Sequence, residues 1–214
     1  MADWVLAAER AYVAAAVGRA PATGDHRHNA DRTRALDFAP AARATAPEFA
    51  SPDHQARAIA AAGAIASRYL AVGTPRSFGI VIDAVPEVDA AGLSLTAHRT
   101  WFSPSDVRCA ATGTGAAELA TITGGRVVTI AEALACDIVN VYSTRVRITP
   151  TQLRRGTHVN AVSAEVFAPE LLTLATVVRD AGLPALAAGL VDGRQLDEIT
   201  IFVIDGAPIA ATSC

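Results

Sequence analysis

Residues 153–165 read LRRGTHVNAVSAE, residues 168–172 APELL, residues 176–180 TVVRD and residues 193–210 GRQLDEITIFVIDGAPIA. Three short apolar runs lie here, at 158–162, 176–178 and 199–204. The first leaves a basic turn, the second follows a leucine-rich helical piece, and the third follows an acidic pair. Short apolar runs separated by helical stretches are the pattern of buried parallel strands.

The alternation continues toward the N-terminus. Residues 55–70 form an alanine-rich helix whose Ile59, Ala62, Ile65 and Tyr69 share one face. An apolar run at 78–82 follows a Gly-Thr-Pro turn, and a weak helix covers 83–97. A short strand is expected at 99–102, with Ser103-Pro104-Ser105-Asp106 as the turn opening the next helix. That helix is read over 107–121, broken by Gly113 and Gly115. A strand at 126–130, a helix at 131–135 and a strand at 138–142 complete the series. Strands alternating with helices predict an α/β fold, a Rossmann-like doubly wound parallel sheet. Residues 1–54 read as a reduced N-terminal segment, with an amphipathic helix over 3–17 and an irregular stretch over 18–53. Residues 55–214 read as the Rossmann-like domain.

Composition narrows the function classes. With 214 residues the chain can bury a real core, and its net charge of −3 gives no basic footprint for nucleic acid. All 18 basic residues are arginine, so lysine Schiff-base and lysine general-base chemistry are excluded. No apolar run reaches the ~20 residues that span a bilayer. Glu9 and Arg10 interrupt the one stretch that could pass for a signal peptide, so the expected location is cytoplasmic. Three scattered cysteines suggest neither a disulfide framework nor a zinc site. His26 and His28, beside Asp25, lack converging partners, so no metal is expected.

Several pieces carry a family resemblance. GTHVNAV at 156–162 and DEITIF at 197–202 are fairly specific together. AIASRYLAVGTPRSFGIVI at 64–82, RTWFSPSD at 99–106 and ACDIVNVYST at 135–144 add to them. Over roughly residues 55–210 the chain resembles the ornithine cyclodeaminase/mu-crystallin family. The resemblance implies a Rossmann fold with a catalytic carboxylate at Glu165. It also implies a strand end beside a nicotinamide at Tyr142, Ser143 and Thr144, and a substrate-carboxylate arginine near Arg57, from which the helix is one residue out of phase.

The residues also depart from the family. A dinucleotide turn needs glycine after its first strand, whereas residues 83–88 read DAVPEV. Asp83 and Glu87 place negative charge where a diphosphate would lie, and Pro86 removes a donor. Gly113-Thr114-Gly115 mimics a phosphate fingerprint but is read as a loop following no apolar strand. The expectation is therefore no cofactor, with weak or absent NAD(P) binding. The catalytic candidates are Glu165, Tyr142 and Arg145, each of which also reads as a structural or solvated residue. Asp83, Ser103, Ser143 and Asn160 are the candidates for any cofactor contact.

Three functions stay open. One is an enzyme of specialised small-molecule metabolism that uses acid–base rather than redox steps on an amino-acid-derived, imine or carbonyl compound. The second is an NAD(P)H-dependent imine reductase or amino-acid cyclodeaminase with an altered cofactor site. The third is a non-catalytic partner of a fuller paralogue. Expected partners are a small-molecule substrate and a second chain, as homodimer or heterodimer, with neither nucleic acid nor membrane. Glu165 is expected to be desolvated by Val162, Val166 and Phe167.

Overall fold

Ser-Phe-Gly-Ile-Val-Ile at Ser77–Ile82 is buried from its second residue onward, which marks a strand covered on both faces. Phe78, Ile80 and Ile82 pack with Ala91, Leu95 and Leu119, while Val81 packs with Ala133 and Leu134. Side chains alternate across a strand, so helices must cover both sides of it. The computed structural model describes residues 2–17, 52–189 and 198–204, and places this strand at the centre of a sheet.

In chain order the elements are α1 (Asp3–Val17), α2 (Pro52–Leu70), β1 (Ser77–Ile82), α3 (Val88–His98), β2 (Asp106–Ala111) and α4 (Ala116–Thr123). There follow β3 (Arg126–Val127), α5 (Ile130–Leu134), β4 (Ile138–Val141), β5 (His158–Ala161), α6 (Pro169–Leu174), β6 (Thr176–Arg179), α7 (Leu183–Ala187) and β7 (Thr200–Val203). The strands form one sheet in the order β3-β2-β1-β4-β5-β7-β6, and every pairing is parallel. The order reverses between β1 and β4, and a crevice opens at such a reversal outside the carboxyl ends of the strands. The Rossmann-like α/β fold read from the sequence is the observed one.

Two expected elements differ. Residues 99–102 make no strand: Trp101 and Phe102 donate their N–H groups to the His98 carbonyl and close the end of α3. The strand lies instead at Asp106–Ala111, which the sequence reading had given to a helix. Val107 and Cys109 enter the core there, while Arg108 pairs with Asp106 and sends a bond to the Glu132 carbonyl. Pairing with β1 outweighs the alanine content of this stretch. Gly113 and Gly115 therefore do follow a strand. His26, His28 and Asp25 lie outside the described residues.

Helix α2 is buried almost all round, as its run of small residues permits. Ala60, Ala61, Ala64 and Ala66 are each essentially inaccessible. Helix α1 docks on α2 and α7, with Val5 in the shared core. Glu9 fastens it, accepting bonds from Arg68 at 2.6 Å and from the Tyr69 hydroxyl at 2.7 Å. The Arg68 guanidinium also lies over the Trp101 ring, 5.0 Å from its centroid. Among the described residues no helix is long and apolar enough to cross a membrane.

Gly79 marks the tightest approach between β1 and α5. A Cβ added there would overlap the carbonyl oxygen of Ala133. The collision is with backbone, so α5 must move to relieve it. Gly79→Ala is expected to lower stability by about 1–3 kcal/mol in urea denaturation, the usual cost of overpacking. An unchanged midpoint would show that α5 retreats freely and that the contact is not tight.

Candidate functional site at the carboxyl edge of the sheet

Asp83 follows the last residue of β1 at the point where the strand order reverses. It is the hub of the carboxyl edge. Its Oδ1 accepts from the Thr112 hydroxyl at 2.7 Å and from the Ser143 hydroxyl through a short contact. Its Oδ2 accepts from the Thr144 N–H at 2.8 Å and from the Thr144 hydroxyl at 3.1 Å. One carboxylate thus joins the ends of β2, β1 and β4. Burial acts to raise its pKa, but the bonds from Ser143, Thr112 and Thr144 outweigh burial and hold it below the ordinary carboxylate value. Ser143 is buried too, and its Oγ accepts from the N–H groups of Arg145 and Val146, each at 3.1 Å.

The first turn after β1 is closed. The Ala84 N–H donates to Glu87 Oε2 at 2.8 Å, and the Glu87 N–H returns to the Ala84 carbonyl at 3.2 Å. The loop after β2 lies against this turn. Gly113 N–H donates to the Asp83 carbonyl at 3.0 Å. Gly115 has a φ of +98°, and a Cβ there would stand 3.1 Å from Val85 N. A diphosphate at this position needs free backbone N–H groups and room for close approach. The turn as it stands does not fit one.

Beneath the edge, on the α2–α3 side, runs a buried polar network. Asn140 and Asn160 are register partners on β4 and β5. Asn160 Nδ2 donates to Asn140 Oδ1 at 2.7 Å and to Ser67 Oγ at 2.9 Å. Asn140 donates to the Ser94 hydroxyl through a short contact. His158 Nε2 meets Asn160 Oδ1 at 3.0 Å, and its Nδ1 meets Thr200 Oγ1 at 2.8 Å. His98 Nδ1 donates to the Ser94 carbonyl at 2.8 Å, which leaves Nε2 to accept from Ser67 at 2.8 Å. Where this network reaches the strand ends, Asn140, Tyr142, Asn160, Gly63 and Ile204 line a cavity of about 10 Å³. That is room for a single water.

The sequence candidates divide accordingly. Asp83 and Ser143 meet in the hub. Tyr142 and Asn160 meet at the cavity. Burial pushes the Tyr142 hydroxyl up to about 12, against a lowering hydrogen bond with Ser94. Arg145 and Glu165 are on the same edge of the sheet but exposed. The expected desolvation of Glu165 does not occur: Val166 and Phe167 turn into the opposite core, and Ser163 Oγ holds the Glu165 N–H at 3.2 Å. Ser103 lies at the other edge, ahead of β2, apart from the rest. Arg57 sits on the early part of α2. Thr112, Ser67, Ser94, Asn140 and Thr200 were missed. The one available signal was the period-two spacing of His158 and Asn160, which places both on one face of β5.

No family model and no curated protein sequence match the chain. Solved structures do. An archaeal alanine dehydrogenase dimer with bound NAD is 24% identical, with a TM-score of 0.59, over 69% of this chain and 57% of that one. A Δ1-pyrroline-2-carboxylate reductase of Thermococcus litoralis, in complex with NADH and L-proline, is 20% identical at a TM-score of 0.54, over 68% and 57%. A probable ornithine cyclodeaminase of Bordetella pertussis Tohama I is 20% identical at 0.53, over 69% and 59%. The likeness is one of fold: the Rossmann-like parallel sheet of this chain is shared with solved dehydrogenase, reductase and ornithine cyclodeaminase structures. The chain spans between half and two thirds of the length of these neighbours. The expectation of no cofactor is corrected by them, because structures sharing this sheet hold NAD or NADH. That expectation rested on the first turn, on its lack of glycine, its two carboxylates and Pro86.

His98 supplies a pH test of the buried network. Burial lowers its pKa from 6.5 to about 4, against a raising hydrogen bond to Ser94. Between those values the unfolded chain binds a proton that the folded one refuses. Stability should therefore fall as pH drops from about 6.5 to about 4 and level off below, a loss on the order of 3 kcal/mol from this group. Asp83, with its pKa depressed, adds a loss only at lower pH. Urea denaturation across pH 7 to 4, with NMR of the His98 ring, checks this. A ring that titrates near 6.5 in the folded protein would refute it.

Proposed function

We propose that this chain binds a nicotinamide dinucleotide at the carboxyl edge of its sheet and serves chemistry on a small amino-acid-derived, imine or carbonyl compound. The observation that carries the reading is the strand order, with its reversal at Asp83 and Ser143, on a fold whose solved examples hold NAD or NADH. One of those examples is a reductase in complex with L-proline, which supports the substrate class.

In this reading the chain's own groups handle protons and substrate charge. Lysine is absent from the sequence, so no lysine serves as the proton-transfer group. Glu165, exposed beyond the end of β5, is the group proposed for that role. Arg145, beyond the end of β4, suits a bidentate contact to a substrate carboxylate. We also propose assembly as a dimer, with itself or with a longer relative.

Titration of NADH and NADPH, followed by nucleotide fluorescence, tests the proposal. Saturable binding is expected, with NAD⁺ or NADP⁺ competing. If none of the four nucleotides binds at millimolar concentration, the reading fails. Once a substrate is in hand, Glu165→Gln should reduce turnover by roughly 100-fold. Unchanged turnover would remove Glu165 from the chemistry.

A further inference from the structure

Glu87 stands where an anion belongs. It directly precedes α3, whose amino end attracts negative charge. Its Oε2 takes the N–H of Ala84, the donor nearest the end of β1 after Asp83 itself. Its own N–H is bonded back to the Ala84 carbonyl, so side chain and backbone form a closed pair across the turn. Val88 is buried behind it and fixes the start of the helix. Asp83, by contrast, points away from this donor: all its acceptor contacts go sideways, to Thr112, Ser143 and Thr144.

We propose that Glu87 is an internal competitor for the diphosphate of the nucleotide, filling the donor that a phosphate oxygen would otherwise take. The inference rests on the dinucleotide-binding reading above. It accounts for a nucleotide-type sheet whose first turn is shut. Entry of a diphosphate requires the Glu87 carboxylate to leave Ala84. Until it does, the ligand meets both an occupied donor and a like charge. The competing anion is part of the chain, so its local concentration is fixed by the turn and cannot be diluted away. Glu87 thereby sets the affinity of the site.

The test compares dissociation constants for NADH and NADPH among the wild type, Glu87→Ala, Glu87→Gln and Asp89→Asn. Asp89 is exposed on the first turn of α3, and no bond from it to the turn at Ala84–Glu87 is seen among the described residues. Its variant makes the same charge change without freeing a donor. Glu87→Ala should bind at least 10-fold more tightly than wild type. Glu87→Gln, which keeps an acceptor but loses the charge, should fall between them, and Asp89→Asn should stay within about 2-fold of wild type. The second readout is the Ala84 amide. Its nitrogen-15 shift should move on adding NADH to Glu87→Ala. Thermal melts establish that each variant is folded, and Glu87→Gln serves should Glu87→Ala fail to fold.

Equal affinity in wild type and both Glu87 variants would make Glu87 an ordinary helix cap and overturn the inference while leaving nucleotide binding intact. Tightening in Asp89→Asn equal to that in Glu87→Ala would assign the effect to bulk charge and overturn it as well. Absence of binding in every protein would instead overturn the dinucleotide reading, and this inference with it.

Discussion

Two asparagines side by side in the middle of a buried sheet set the strictest condition on this molecule. Asn140 and Asn160 are almost inaccessible, and each amide left unpaired would cost about 1–3 kcal/mol. They bond each other and His158 within the sheet, and the rest of their need is met from outside it. Ser67 comes from α2 and Ser94 from α3 to meet them. Helices α2 and α3 are thus held in position by hydrogen bonds as well as by packing. Helix α2 lies directly against the asparagine pair at Gly63, where a Cβ would meet Asn160 at an ordinary contact distance of 3.5 Å. His98 and His158 extend the same chain to the end of α3 and across to β7. Networks of this kind specify one arrangement, because any slip leaves several groups unpaired at once.

The site inherits that rigidity. The end of α3 is anchored to α2 by the bond between His98 and Ser67. Asp83 ties β1 to its neighbours on either side of the strand reversal. A carboxylate with four hydrogen bonds has little reason to move. Glu87 has one hydrogen bond from the turn and is only half-buried, so it is the looser of the two acids. The edge therefore combines a fixed hub with a displaceable carboxylate, and change at this edge would begin at Glu87.

The fold was largely readable from the chain. The run Phe78 to Ile82, the segment Ile138 to Val141 and the THVNAV and ITIF stretches are apolar at the lengths that buried parallel strands require. The failure came at Asp106–Ala111, where alanines suggested helix. Local composition could not reveal that β1 offered a parallel partner there. The same error hid the position of Gly113 and Gly115 after a strand. Of the site, Asp83, Ser143, Tyr142 and Asn160 were picked out by position at strand ends or within strands. Ser103 went astray with the misplaced strand, and Glu165 met solvent where a greasy pocket was expected.

The sequence by itself determined the order of strands and helices, the absence of lysine chemistry and the absence of glycine from the first turn, because each is a property of local residue type and spacing. Only the tertiary structure decided which polar groups answer one another. Asp83 finds Thr112 and Ser143, and Asn160 finds Ser67, across separations of 29, 60 and 93 residues. A hydrogen bond depends on a few tenths of an ångström between elements, and no periodicity along a chain carries that distance.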